Sequence, residues 1–250
     1  MDNNNNYNWA QKTVYVQDQT GLVAKKFFAN VFLWMFIALG LSTLSAYLMA
    51  SNEALFSILR NPETLRPTVL GYVAMFAPLG LVLLMSAGLS RLSYGALLVT
   101  FIAYSVLTGL SLSFILLAYT ATSVISCFAA AAGIFGIMAF LGYTTDVDLS
   151  KFGPILMVGV IGLVIASLVN MFIQSESFSL FMAFVGIAIF TALTAYDVQK
   201  LKRIGAGIEE SGAQIHDADT KKLAMMGALS LYLDFLNIFL FLLRIFGDRR

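Results

Sequence analysis

The chain has 250 residues, 59% of them hydrophobic and 12% charged, with a mean hydropathy of +0.84 and a formal net charge of +1. Soluble domains carry about 25% charged residues, so the composition excludes a water-soluble domain and predicts an all-α integral membrane protein. The near-neutral charge, without a long basic run, excludes a nucleic-acid partner. A single cysteine, Cys127, excludes an internal disulfide and a cysteine-based zinc site, and the single histidine, His216, reads as a loop residue.

In chain order, residues 1–26 form a polar tail with an asparagine run, expected to be disordered on the aqueous face and to lack a cleavable signal peptide. Seven apolar segments follow, each near the roughly 20 residues that a bilayer requires. The first spans residues 27–49, and a loop with Glu53, Arg60, Pro62, Glu63 and Arg66 leads to the second, 69–89, which contains Pro78. The third and fourth, 94–119 and 122–143, end in tyrosines suited to the interfacial belt. The fourth is rich in small residues, Ala129 to Gly133 and then Gly136, expected to let helices approach closely. Asp146 and Asp148 lie in the loop before the fifth segment, 153–173, where Pro154 suits a first helical turn. The sixth, 178–197, runs into Lys200, Lys202 and Arg203, and a polar loop over 205–220 precedes the seventh, 223–246. Residues 27–247 thus form one membrane domain, and residues 248–250 a basic carboxyl end.

With the amino terminus cytoplasmic, ten Lys and Arg residues lie inside and five outside, which favours that orientation. If the last helix re-entered and did not cross, the count would become thirteen to two. Both arrangements are compatible with the sequence.

The seventh segment carries Asp234 near its midpoint, where a carboxyl group costs at least a few kcal/mol. At about 100° per residue, Gly227, Ser230, Asp234, Asn237 and Arg244 share an arc of roughly 100°. Such a stripe is expected to face protein or water and not lipid. Of fourteen Asp and Glu residues, only Asp197 and Asp234 sit in apolar helical surroundings. Asp197 admits a plainer role as a solvated helix end paired with Lys200, three residues on. Two carboxylates brought together could share a proton, act as acid and base on a scissile bond, or hold a cation such as calcium. Thr194, Ser230 and Asn237 add oxygens, too few for a tight cage, so a weak, proton-competed cation site is expected and no tightly bound cofactor.

The run LSLYLDFLNIFLFLLRIFG at 229–247 and the run TAYDVQKLK at 194–202 resemble the two hallmarks of the transmembrane Bax inhibitor motif family, and the short tail and loops resemble its bacterial inner-membrane branch. The resemblance covers nearly the whole chain. It implies a seven-helix fold with the C-terminal helix central and six packed around it. It also implies a pH-sensitive calcium leak governed by an aspartate pair, carried here onto Asp197 and Asp234, with Ca2+ and protons as its ligands. In some members an arginine near the inner end of the second helix latches the pair closed. Arg91 is the candidate here, standing alone where those members have a basic cluster. Some bacterial relatives are linked to a membrane-anchored ATP-dependent protease, which makes a regulatory interaction protein the alternative reading, with the tail as its handle. An intramembrane aspartyl protease would share Tyr196-Asp197, but its Gly-x-Gly-Asp motif is replaced by Leu231-Tyr232-Leu233-Asp234 and its Pro-Ala-Leu motif is missing. A conduit and not an enzyme is the expected function.

Overall fold

In the computed structural model, helices form wherever the apolar segments run, because a backbone without water must satisfy its own N–H and C=O groups. Residues 21–214 and 217–250 are described. The expected tail over residues 1–20 and His216 lie outside the described residues. The elements are α1 (Leu22–Ser51), a short α2 (Glu53–Leu59), α3 (Val69–Gly88), α4 (Tyr94–Ala118), α5 (Ala121–Thr144), a 3-10 turn (Leu149–Phe152), α6 (Gly153–Ile173), α7 (Glu176–Glu210) and α8 (Ala218–Phe246). All but α2 and the 3-10 turn are long and apolar enough to span a membrane, which gives seven candidate spans among the described residues. Side chains of Asn52, Thr68, Ser93, Thr120 and Ser175 accept N–H groups in the first turns of α2, α3, α4, α5 and α7, each cap contributing about 1 kcal/mol. Pro154 sits in the first turn of α6, as expected.

Three expectations need correction. Helix α1 begins at Leu22, so the end of the expected tail is already helical. Helix α7 does not stop near Asp197 but continues to Glu210, through Gly205-Ala206-Gly207, which the sequence suggests as a loop. The cause is packing: Gly205 is buried against Phe27 and Ala24 of α1, where a Cβ would lie 3.3–3.4 Å from their atoms. The Glu209 carboxylate also accepts the N–H groups of Gly21 and Ala24 at the start of α1. The small residues of α5 are the third correction. Gly133 and Gly136 have no neighbour within 4 Å of an added Cβ, and the close approach occurs at Gly142, whose Cβ would stand 2.3 Å from the Ala195 carbonyl oxygen on α7.

Helix α8 is the most buried span, and it packs against α1, α4, α5 and α7. Helix α3 rests on α4 and α6 on α7. The implied arrangement of six around one is therefore looser: four helices form the main contacts of α8, and two lie outside them.

The start of α1 and the carboxyl end fall on opposite faces. The start of α1 meets the end of α7 through Glu209. The carboxyl end instead bonds to the α4–α5 turn, with Thr120 N–H donating to the Asp248 carbonyl and Arg250 N–H to that of Ala118, both at 3.0 Å. The last helix thus crosses from the amino face to the opposite one. Three tyrosines at helix ends each lie under a cation, Lys221 over Tyr94, Lys202 over Tyr143 and Arg249 over Tyr119, at 5.1–5.8 Å.

Candidate functional site

The two hallmark segments meet along the seam between α7 and α8. An added Cβ at Gly227 would lie 2.4 Å from Leu201, and one at Gly186 would lie 2.3 Å from Phe241. These two close approaches set an antiparallel register that brings Thr194 level with Asp234. Asp197 lies one turn nearer the amino face, about 4.5 Å along the axis. At 100° per residue, Asp197 falls about 60° to one side of Thr194, and Ser230 and Asn237 about 40–60° to one side of Asp234. In an antiparallel pair these are the same flank. The α5 side of the seam is apolar by contrast, with Phe235 packed on Phe128 and Phe135.

Asp234 is 4% exposed, and its Oδ2 is buried without a hydrogen-bond partner. The neighbouring charge that acts on it is that of Asp197, so the two carboxyl groups are within electrostatic reach. Asp197 is half-buried and feels Lys200. The two do not form an ion pair, because the ion pairs among the described residues are Arg203–Asp148 and Lys222–Asp219. Helix α7 continues past Asp197 to Glu210, so Asp197 is not a helix end.

The supporting oxygens are placed as follows. Thr194 is fully buried and donates its hydroxyl to the Phe190 carbonyl at 2.9 Å. Asn237 is half-buried and donates its amide to the Leu233 carbonyl at 2.8 Å. Both keep acceptor lone pairs. Ser230 is half-buried on the same flank. No group of three or more His, Cys, Asp or Glu able to hold a metal occurs among the described residues, and calcium takes six to eight oxygens. Arg91 is exposed in the turn between α3 and α4 and takes part in neither ion pair.

The polar stripe of α8 is only partly covered: Gly227 and Asp234 are buried, Ser230 and Asn237 half-buried, and Arg244 exposed. Its opposite side, with Leu231, Tyr232 and Phe235, is buried as well. The helix is thus sunk all round, and its stripe is the less covered face.

A polar cluster that the sequence reading missed lies beside Asp197 on the amino face. Gln199 is 7% exposed, accepts the Leu149 N–H at 2.9 Å and donates to the Val147 carbonyl at 2.8 Å. Arg203 bridges Gln199 and Asp148. Together they clamp the α5–α6 loop onto α7. The Ser150 hydroxyl and the Arg203 guanidinium hold the Asp148 carboxyl well below the usual range. A cavity of about 290 Å³, lined by Ser150, Tyr196, Gln199, Lys200, Arg203 and Ile204, opens next to the clamp. A glutamine inside a basic run gives no sequence signal for such a role. Thr191 was also missed: its hydroxyl oxygen is buried without a partner.

The fold and seam define a seven-helix membrane protein with a buried, unpartnered carboxyl group in its last helix. A sequence model of the family described as "Inhibitor of apoptosis-promoting Bax1" matches residues 24–250. The chain belongs to this family, the Bax inhibitor-1 family. Among similar proteins, the "Inner membrane protein YbhL" of Escherichia coli K12 is 43% identical over 235 residues, 94% of this chain and 96% of its own. An uncharacterized protein of Deinococcus radiodurans is 39% identical over 240 residues, covering 96% of this chain and 97% of its own. The protein RP147 of Rickettsia prowazekii is 38% identical over 228 residues, covering 90% and 91%.

Proposed function

We propose that the protein is a calcium leak of the inner membrane in which protons and cations compete for the Asp197–Asp234 seam. The observation that carries this reading is the Asp234 carboxyl oxygen, buried with no hydrogen-bond donor and with another carboxyl as its charged neighbour. A buried carboxylate without a donor is costly, and a proton or a cation relieves it. Protonation removes the charge that attracts a cation and closes the route. Loss of the proton leaves two like charges that repel and admit Ca2+. The cavity beside Tyr196 and Lys200 would be the aqueous approach from the amino face, and Thr194, Ser230 and Asn237 would supply neutral oxygens along the flank.

The membrane assignment rests on the name of the Escherichia coli relative, 43% identical to this chain. The cytoplasmic placement of the amino face rests on the ten-to-five excess of Lys and Arg.

The test is calcium entry into liposomes carrying the purified protein, compared among the parent, Asp197→Asn and Asp234→Asn at about pH 6 and about pH 8. The expected result is greater entry at the higher pH, with Asp234→Asn abolishing entry or its pH dependence. Entry that rises steadily on acidification, or that is unchanged in both variants, would overturn the reading.

A further inference from the structure

The connection between α1 and α3 carries apolar side chains that the helices around it leave uncovered. Helix α2 packs through Phe56 and Leu59, with Phe56 edge-on to Phe114 of α4 at a centroid distance of 5.1 Å. Around the α2 axis, Leu55 and Ile58 lie about 40–100° beyond Leu59 on one side, and Glu53 and Ser57 about 60–100° beyond Phe56 on the other. Leu55 and Ile58 are exposed. The packed face thus has an apolar border and a polar border, the partition of a helix lying in a membrane interface. Its level agrees, because α2 joins the ends of two spans on the face of the carboxyl end. It is tied to them: Thr68 donates its hydroxyl to the Ile58 carbonyl at 2.6 Å and its N–H to the Leu59 carbonyl at 2.9 Å.

The loop after α2 is built around one leucine. Arg60 and Pro67 pair across its neck. Inside it, the Asn61 side chain accepts the N–H groups of Glu63 and Thr64, and the Asn61 carbonyl accepts that of Leu65. The Leu65 carbonyl in turn accepts the Arg60 Nε–H at 3.0 Å. These bonds hold Leu65 at a φ of 55°, the left-handed region, where glycine or asparagine is the ordinary choice. Its side chain is 61% exposed, so packing within the chain does not offset the strain. A leucine kept where glycine would fit the backbone better points to a use for that side chain outside the chain.

Charge and position select the occupant. Arg60 and Arg66 flank the loop, neither belongs to the ion pairs found among the described residues, and Glu63 is the one acidic residue between them. Apolar side chains bordered by arginines match the layering of a phospholipid leaflet, with acyl chains beneath phosphates. The apolar surface also continues into the first residues of α3, where Val69 and Leu70 are exposed on a membrane span. We infer that residues 52–68 form an anchor in the phospholipid leaflet at the face of the carboxyl end, with Leu55, Ile58 and Leu65 among the upper acyl chains and Arg60 and Arg66 at the phosphates. The anchor fixes the ends of α1 and α3 relative to the bilayer and stands independently of the ion route proposed above.

The experiment uses the full-length protein in phosphatidylcholine liposomes, with Trp9→Phe and Trp34→Phe removing the native tryptophans. A single reporter is then introduced as Leu65→Trp, as Ile58→Trp or, for a water-exposed control at the end of α7, as Glu210→Trp. Fluorescence quenching is read with phosphatidylcholine brominated in the upper part of its acyl chains, and with iodide present on both sides of the membrane. Bromolipid is expected to quench Leu65→Trp and Ile58→Trp several-fold more than Glu210→Trp, and iodide several-fold less. Because tryptophan itself favours the interface, Leu65→Asn, which suits the left-handed backbone, is added to the Ile58→Trp protein and should lower its bromolipid quenching several-fold. Iodide quenching of Leu65→Trp equal to that of Glu210→Trp, or bromolipid quenching of Ile58→Trp indifferent to Leu65→Asn, would overturn the inference. So would shielding of Leu65→Trp from both quenchers, which would place a protein surface over the loop.

Discussion

Helix α6 is the more apolar of the pair α6 and α8, yet a single residue of α6, Leu163, is buried against fourteen of α8. Both are apolar enough to cross a bilayer, and hydropathy alone ranks the wrong one as the more interior. The difference lies in what each can carry. The outer face of α6 shows Ile155, Val158, Ile161 and Phe172 to the surroundings and bears no ionisable group. Helix α8 is covered by four neighbours, and only such a position tolerates Asp234 in its middle. Burial in a membrane protein is thus bought by contact with other helices, and a polar residue in a span marks the helix that has it.

The largest expected effect comes from breaking the inner packing while sparing the outer. Gly142→Leu would drive a side chain into the Ala195 carbonyl, 2.3 Å from the built Cβ, and should cost about 3 kcal/mol or more. Gly162→Leu on α6, where nothing lies within 4 Å, should leave stability nearly unchanged. Thermal unfolding in detergent compares the two, and equal losses would contradict the division into an inner and an outer layer.

A smaller effect is expected at the clamp that joins these layers. Gln199→Leu removes both hydrogen bonds to the α5–α6 loop and leaves the Leu149 N–H and Val147 carbonyl without them. The expected cost is about 1–3 kcal/mol, seen as faster amide exchange over residues 147–152 with the core of α8 unaffected. Protection unchanged in that loop would mean that Arg203 holds it alone through Asp148.

The smallest effect concerns pH. Asp148 is held well below the usual carboxylate range by Ser150 and Arg203. A depressed folded value means that its contribution is present above the unfolded value and lost only as pH falls through the folded one. Amide exchange in the loop, corrected for intrinsic rates, should therefore keep constant protection between about pH 5 and about pH 8. Loosening within that window would show that the clamp itself titrates.

The spans were legible because a bilayer imposes length and apolarity directly: α3, α4, α5 and α6 begin and end within about two residues of the expected bounds. Asp234 was legible because a carboxyl group in such a segment has no ordinary explanation. The continuation of α7 was not, since Gly205 and Gly207 look like loop residues until Phe27 and Ala24 are seen against Gly205. The small residues of α5 suggest packing, but composition does not tell which face meets a neighbour; Ala131 does, while Ala129, Ala132 and Gly136 do not. The Gln199 clamp joins residues some fifty positions apart through backbone atoms, and backbone partners leave no trace in side-chain chemistry.

The central claim is that a proton and a cation compete for the same buried carboxyl group. It is tested most directly by adding Ca2+ to the purified protein in weakly buffered detergent solution at about pH 6 and reading proton release with an indicator dye. The account predicts release on Ca2+ addition by the parent and its loss in Asp234→Asn with the protein still folded. Calcium flux through the parent without any proton release, or the same release from Asp234→Asn, would contradict it.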